Sequence, residues 1–312
     1  MRLHAPRLGC RSDTASNHSS WLGASWEEDV EETRGAIKAH CGRPDWLVVD
    51  HYAIDYRWER ALRESVGRIM VIDDLADRAH HCDLLLDQNL VGEMDTRYVD
   101  RVPLACGLLL GPEYALLDPA YAELRDRASL KDKSVRRILI FFGGVDNRNL
   151  TGRALEAVLK LKRQKIEIDV VAAGNGFHYQ SLRNQVEGHS NVRLHRNLPT
   201  LAPLMAQADL AIGAGGSTSW ERLCMGLPTL VVTVAENQLE VAHELNQRRL
   251  IRWLGGVSSA TVERFRTEVL GFINGESGWI DRQHMEAIVD GRGASRVCEA
   301  MHSRVMAGIA CS

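Results

Sequence analysis

The 312-residue sequence predicts an α/β protein built from two Rossmann-like, doubly wound domains. Three observations carry that prediction. Short apolar runs alternate with segments of helical period along most of the chain. The runs end in polar residues: Asp50-His51-Tyr52, Asp73-Asp74, Gln88-Asn89 and Glu236-Asn237-Gln238. The stretch 213–238, GAGGSTSWERLCMGLPTLVVTVAENQ, joins a strand to a glycine turn, a helix and a second strand. A chain of this length accommodates two domains.

The elements follow in order. Ser25-Trp26-Glu27-Glu28 is a capping box, and Trp26, Val30, Thr33 and Ile37 recur at helical spacing, so a helix runs to about His40. Pro44 breaks the chain. Strands are expected at 46–50, 68–72, 83–87 and 107–111, with helices at 56–65 and 118–128. The polar run SLKDKS at 129–134 reads as a linker between a first domain, 1–128, and a second, 135–312. The second domain opens with a strand at 136–142 that ends in Gly143-Gly144. Helices at 149–163, 178–187 and 200–207 then alternate with strands at 166–173, 192–195 and 209–213. After the glycine turn come a strand at 229–234, a helix at 238–249, a strand at 251–254 and helices at 259–274 and 295–307. The last helix is free to pack back on the first domain. Two such domains in tandem face their strand ends across a cleft, a favoured place for ligands.

Composition narrows the partners. Hydrophobic content of 45% and charged content of 25% are those of a globular protein. A net charge of -3 is no footprint for nucleic acid or a membrane surface. No run of about 18 apolar residues is present, and no apolar segment follows Met1. The seven cysteines are scattered, odd in number and without CxxC spacing, which reads as reduced thiols in a cytoplasmic protein. Residues 6–20 are a polar loop, so the chain reads as beginning inside a domain.

The glycine turn is the main chemical signal. A strand, a turn containing Gly216, and a helix opening at Ser217-Thr218 together form an anion site, because the glycines admit a ligand to the backbone and the free N–H groups attract negative charge. Thr218-x-x-Glu221 also reads as a capping box, which needs no ligand. Asn237 and Gln238, at the next strand end, favour the ligand reading. Elsewhere, His80-His81-Cys82-Asp83 holds metal-ligand types, but neighbours on a strand point to opposite faces and do not converge on one ion. Asp73-Asp74 alternates in the same way and reads as a turn or cap. No metal or cofactor is expected.

With these segments in order, the chain resembles the UDP-2,4-diacetamido-2,4,6-trideoxy-β-L-altropyranose hydrolases of pseudaminic acid synthesis. The resemblance rests on WLGASWEEDVEET, PDWLVVDHYAIDYRWE, VIDDLADRAHHCDLLLDQN, GPEYALLDPAY, FFGGVDNRN, AGGSTSWERLCMGLPTL, ENQ and VDGRGASRV. It implies the GT-B architecture and metal-free release of UDP and a free sugar from a UDP-sugar, with inversion at C1. It assigns the diphosphate to Ser217 and Thr218, the ribose to Glu221, and uracil to the backbone at Asn197-Leu198. It gives the sugar to Asn237 and Gln238, and placement of the attacking water to Tyr52. Gly143 and Gly144 let their loop approach the ligand.

The family carries its proton-accepting histidine in a G-x-G-H-x-x-R motif, and none of the 12 histidines here sits in that context. An opening strand-loop-helix unit is therefore expected to be absent, leaving an incomplete first domain. A start assigned to an internal methionine, a true truncation, and a binding protein without its catalytic loop all fit that reading. On any of them this polypeptide is expected to be unstable or inactive in isolation. His51, beside Tyr52, is the nearest replacement base. A glycosyltransferase of the same architecture and a non-catalytic nucleotide-sugar binding protein are the alternative functions.

Overall fold

A computed structural model describes residues 18–40, 42–128, 135–163, 165–173, 176, 178–275 and 282–310. The expectations for residues 1–17 and for the linker at 129–134 lie outside the described residues. The chain divides into two units. One holds the described residues through Asn89, Glu93–Tyr114, and the chain from Val297 onward; the other holds Leu90–Gly92 and Ala115–Arg296.

In the first unit, α1 (Trp26–His40) opens on the expected capping box. The Glu28 N–H donates to Ser25 Oγ at 3.2 Å, and the Ser25 N–H donates to Glu28 Oε2 at 3.0 Å. There follow β1 (Trp46–Val49), α2 (Tyr56–Leu62), β2 (Arg68–Ile72), β3 (Leu84–Asp87) and β4 (Gly107–Leu110). The strands pair in parallel in the order β1-β2-β3-β4. Side chains alternate across this sheet. Ile69, Val71 and Leu85 pack with Val30, Ile37, Trp58 and Leu62. Met70, Leu84, Leu86 and Leu109 pack on the other face, where Val297 and Met301 of the last helix cover them.

The second unit holds α3 (Pro119–Ala128), β5 (Arg137–Phe141), α4 (Leu150–Leu159), β6 (Glu167–Ala172), α5 (Tyr179–Val186), β7 (Val192–Arg196), α6 (Ala202–Gln207) and β8 (Leu210–Ala214). It continues through α7 (Thr218–Cys224), β9 (Thr229–Thr233), α8 (Leu239–Gln247), β10 (Arg252–Gly256), α9 (Val262–Ile273) and α10 (Arg282–Ile288), and includes the start of α11 (Gly293–Ala310). Its six strands are all parallel in the order β10-β9-β8-β5-β6-β7. Strands β8 and β9 are buried at every position, as strands covered on both faces must be. Chain order reverses between β5 and β8, so their C-terminal ends, paired at Phe141 and Gly213, mark the topological switch point.

Two features differ from the sequence reading. Helix α3, expected to close the first domain, belongs to the second unit and packs on α6 and α7. The Arg125 guanidinium also donates to Val289 O at 2.9 Å and Glu286 O at 2.8 Å, a long-range tie that local sequence cannot reveal. Helix α10 has only seven residues and buries only Met285 among them, too little for a legible period. The chain from Val297 on counts with the first unit, the domain on which the sequence left the last helix free to pack. No helix among the described residues is long and apolar enough to cross a membrane.

Candidate functional site

The glycine turn lies at the switch point. Gly213, in β8, has no room for a side chain: a Cβ there would stand 2.3 Å from Phe141 O and 2.6 Å from Arg222 Nη1. Gly216 has φ +106, a backbone that L side chains rarely adopt. Gln238 packs against this turn, its Oε1 about 3.2 Å from where a Gly215 Cβ would lie. The same Oε1 accepts the Val234 N–H at 2.9 Å, so the structure brings Gln238 and the turn together. Asn237 is exposed beside it.

The expected capping box at Thr218 does not form. Ser217 already has helical angles and makes no side-chain cap. The Glu221 carboxyl is occupied elsewhere, by Tyr121 of α3. The buried Tyr121 hydroxyl donates to Glu221 and receives hydrogen bonds from the Thr200 hydroxyl and the Leu201 N–H. Burial is the main influence on Glu221 and pushes its carboxyl up, with the Tyr121 bond and the Arg222 charge pulling the other way. Tyr121 thus joins Glu221 to the loop that starts at Asn197 and Leu198. Asn197 stands at φ +51, in the left-handed region where a backbone group can turn outward. Sequence reasoning quoted Tyr121 inside GPEYALLDPAY but gave it no role; the only signal was an aromatic at the start of a helix.

Gly143, at φ +93, and Gly144 follow β5 across the switch point from the glycine turn. They line a cavity of about 190 Å³ with Asp146, Thr151, His178 and Tyr179. Asp146 accepts the N–H groups of Leu150 at 2.9 Å and Thr151 at 2.8 Å, which satisfies the start of α4 from within the protein.

The first unit gathers its polar groups at the strand ends after β1, β2 and β3. The Tyr52 hydroxyl donates to Asp74 Oδ2 at 3.1 Å. Its ring lies 5.2 Å from that of His18 and 5.9 Å from that of Trp21. Burial pushes the Asp74 carboxyl up, and the bonds from Tyr52 and the Asn89 side chain only partly offset it. His51 accepts the Ala53 N–H at Nδ1, 3.1 Å away, which in the neutral ring puts the proton on Nε2.

Asp73, by contrast, has the turn role expected for it. It accepts the Ala76 N–H at 2.8 Å, and Ala76 stands at φ 50. Burial opposes its charge, but Arg78 at 2.8 Å and the nearby His80 hold its carboxyl below the usual range. Tyr98 OH lies 3.0 Å from both Asp73 Oδ2 and Asp87 Oδ2. His80 Nδ1 meets the fully buried Glu59 carboxylate at 2.7 Å, so its ring serves a buried pair. No group of three or more metal-ligating side chains converges among the described residues.

Comparison with known proteins follows this geometry. Residues 137–254, β5 through β10, match the glycosyltransferase family 28 C-terminal domain. The chain is 33% identical to the spore coat polysaccharide biosynthesis protein SpsG of Bacillus subtilis (strain 168) over 42% of its own length and 39% of that protein's. It is 27% identical to the UDP-2,4-diacetamido-2,4,6-trideoxy-beta-L-altropyranose hydrolase of Campylobacter jejuni over 69% of its length and 75% of that protein's. It thus spans about two fifths of the length of some curated relatives and three quarters of another. Among solved structures, MurG of Acinetobacter baumannii superposes with a TM-score of 0.61 at 13% identity, covering 89% of this chain and 78% of that one. The chain therefore has the GT-B fold of two parallel-sheet α/β domains, and it is distantly related in sequence to the Campylobacter jejuni hydrolase.

Proposed function

We propose that the chain binds a UDP-sugar at the switch point of its second unit and hydrolyses it to UDP and the free sugar. The observation that carries this reading is the grouping at β5 and β8: two glycine loops, Gln238 against one of them, and a Tyr121-held Glu221. Glycine backbone at a switch point suits a diphosphate. A carboxylate suits two ribose hydroxyls, which it can accept together. Ser217 and Thr218 would face the diphosphate, the backbone at Asn197-Leu198 uracil, and Asn237 with Gln238 the sugar. The distant relationship to a UDP-sugar hydrolase supports the substrate class and the reaction.

In the first unit, Tyr52 would place the attacking water. Its own proton points at Asp74, so as the water gives a proton to the Tyr52 oxygen, the tyrosine's proton would pass to the Asp74 carboxylate, which is the final acceptor. His51 is the weaker assignment, since its Nδ1 is engaged by Ala53. UDP leaves readily once its charge is stabilised. The match to a glycosyltransferase family 28 domain favours a second reading, transfer of the sugar to an acceptor.

Calorimetry with UDP, followed by NMR of a UDP-diacetamido-trideoxy sugar incubated with the protein, tests the proposal. Binding with acceptor-independent appearance of free sugar is expected. UDP release only when an acceptor is added would favour transfer, binding without turnover a carrier role, and no UDP binding would overturn the reading altogether.

A further inference from the structure

Arg222 of α7 is a buried cation that hydrogen-bonds to no carboxylate among the described residues; the neighbouring Glu221 carboxylate acts on it only through space. It is 3% exposed, and its Nη2 donates to two neutral groups, Ala214 O at 2.7 Å and Ser219 Oγ at 3.1 Å. Its Nε is buried with no hydrogen-bond partner, and it makes no ion pair among the described residues. A buried charge with no hydrogen-bonded counter-ion is costly to a fold. Nearly every other strongly buried ionic group here is paired: Asp73 with Arg78, Asp87 with Arg97, and Asp169 with Arg137.

Its place in the fold suggests why the cost is borne. Nη1 lies 2.6 Å from where a Gly213 Cβ would be, a position that is also 2.3 Å from Phe141 O. The guanidinium therefore sits against the paired ends of β5 and β8, with its Nη2 on the carbonyl of Ala214, the residue before the glycine pair 215–216. Burial lowers its pKa to about 10, so it remains charged at neutral pH. A fixed charge in low dielectric acts across several ångströms with little screening.

We infer that Arg222 is a positioning residue whose buried charge awaits an anionic ligand at the switch point, a diphosphate in particular. The inference rests on the UDP-sugar reading and adds a counter-charge to it. Arg222 would not touch the ligand. It would raise the local potential and hold Ala214 against Ser219, so that the turn is preformed for an anion. The ligand would then supply a second anion near the buried cation, in addition to Glu221.

The test compares UDP, uridine and inorganic pyrophosphate on the wild-type chain, Arg222→Met and Arg222→Lys, by calorimetry and thermal melting. Arg222→Met should weaken UDP by about tenfold or more, leave uridine affinity within about twofold, and abolish the melting shift that pyrophosphate gives the wild type. Without ligand it should melt at or above the wild-type temperature, because a buried charge with no hydrogen-bonded counter-ion has been removed. Arg222→Lys should keep part of the preference for UDP over uridine. Equal loss of UDP and uridine, unchanged UDP affinity, or failure of both variants to fold would each overturn the inference and leave Arg222 a structural residue at most. A wild type that binds none of the three ligands would instead overturn the UDP-sugar reading, and this inference with it.

Discussion

The hydroxyl of Tyr52 donates to Asp74 across 3.1 Å, joining the strand end after β1 to the strand end after β2. If this pair takes the proton from water, Tyr52→Phe and Asp74→Asn should each lower kcat for UDP-sugar hydrolysis by about a hundredfold while UDP affinity holds. The Asp74 pKa is raised by burial, so activity should fall as pH drops through that raised value. Asp74→Asn should flatten this acidic limb. A pH series of steady-state rates checks both points.

Glu221 should set ribose recognition. UDP should bind better than 2′-deoxy-UDP, and Glu221→Ala should cost about 1.5–3 kcal/mol in UDP binding and erase the preference. Tyr121→Phe removes the donor that orients the carboxyl and should reduce the same preference more mildly. Because burial raises the Glu221 pKa, UDP affinity should decline as acid protonates it. Paired calorimetric titrations of UDP and 2′-deoxy-UDP decide this.

Tyr98 should matter to stability rather than to ligand binding. Its hydroxyl serves Asp73 and Asp87 together in a buried setting. Tyr98→Phe removes a buried donor shared by two carboxylate oxygens that keep the Ala76 N–H and the Arg97 guanidinium, and should cost about 1 kcal/mol in chemical denaturation. An unchanged midpoint would mean that water takes the place of the hydroxyl.

Asp290 should make stability depend on acid. Its oxygens meet Arg296 at 2.8 and 2.5 Å, and these bonds lower its pKa to about 2. A carboxyl whose folded value lies below its unfolded value of about 3.9 stabilises above that unfolded value, and the contribution disappears as pH falls toward the folded one. Asp290→Asn should therefore melt lower than wild type at pH 7, with the gap closing between about pH 4 and 2. The pair is partly solvent-exposed, so the gap should be small.

Gly213→Ala tests the packing at the switch point. The new methyl would strike Phe141 O and Arg222 Nη1, of which the carbonyl cannot move aside without breaking strand pairing. A loss of about 1–3 kcal/mol in unfolding free energy is expected, larger than for glycines in exposed loops.

Much of the fold was legible because it is written in local periodicity. The run Arg68–Ile72 is a strand over the expected residues, and Ser25 caps the first helix with Glu28 as its spacing implies. The failures share a cause. The spacing of Thr218 and Glu221 fits a capping box, but Tyr121, one hundred residues earlier, holds the carboxyl instead. Asp73 and Asp74 look equivalent in sequence; one caps a turn and the other faces Tyr52, because neighbours on an extended chain point to opposite sides.

By itself, then, the sequence determined where strands and helices alternate and where glycine must stand, since hydrophobic period and backbone freedom are properties of adjacent residues. Only the tertiary structure decided that α3 joins the second unit, that Tyr121 holds Glu221, and that Arg222 lies buried with its Nε unbonded. Those are contacts between residues distant in the chain, and burial, which sets the cost of each charge, exists only once the sheets are covered.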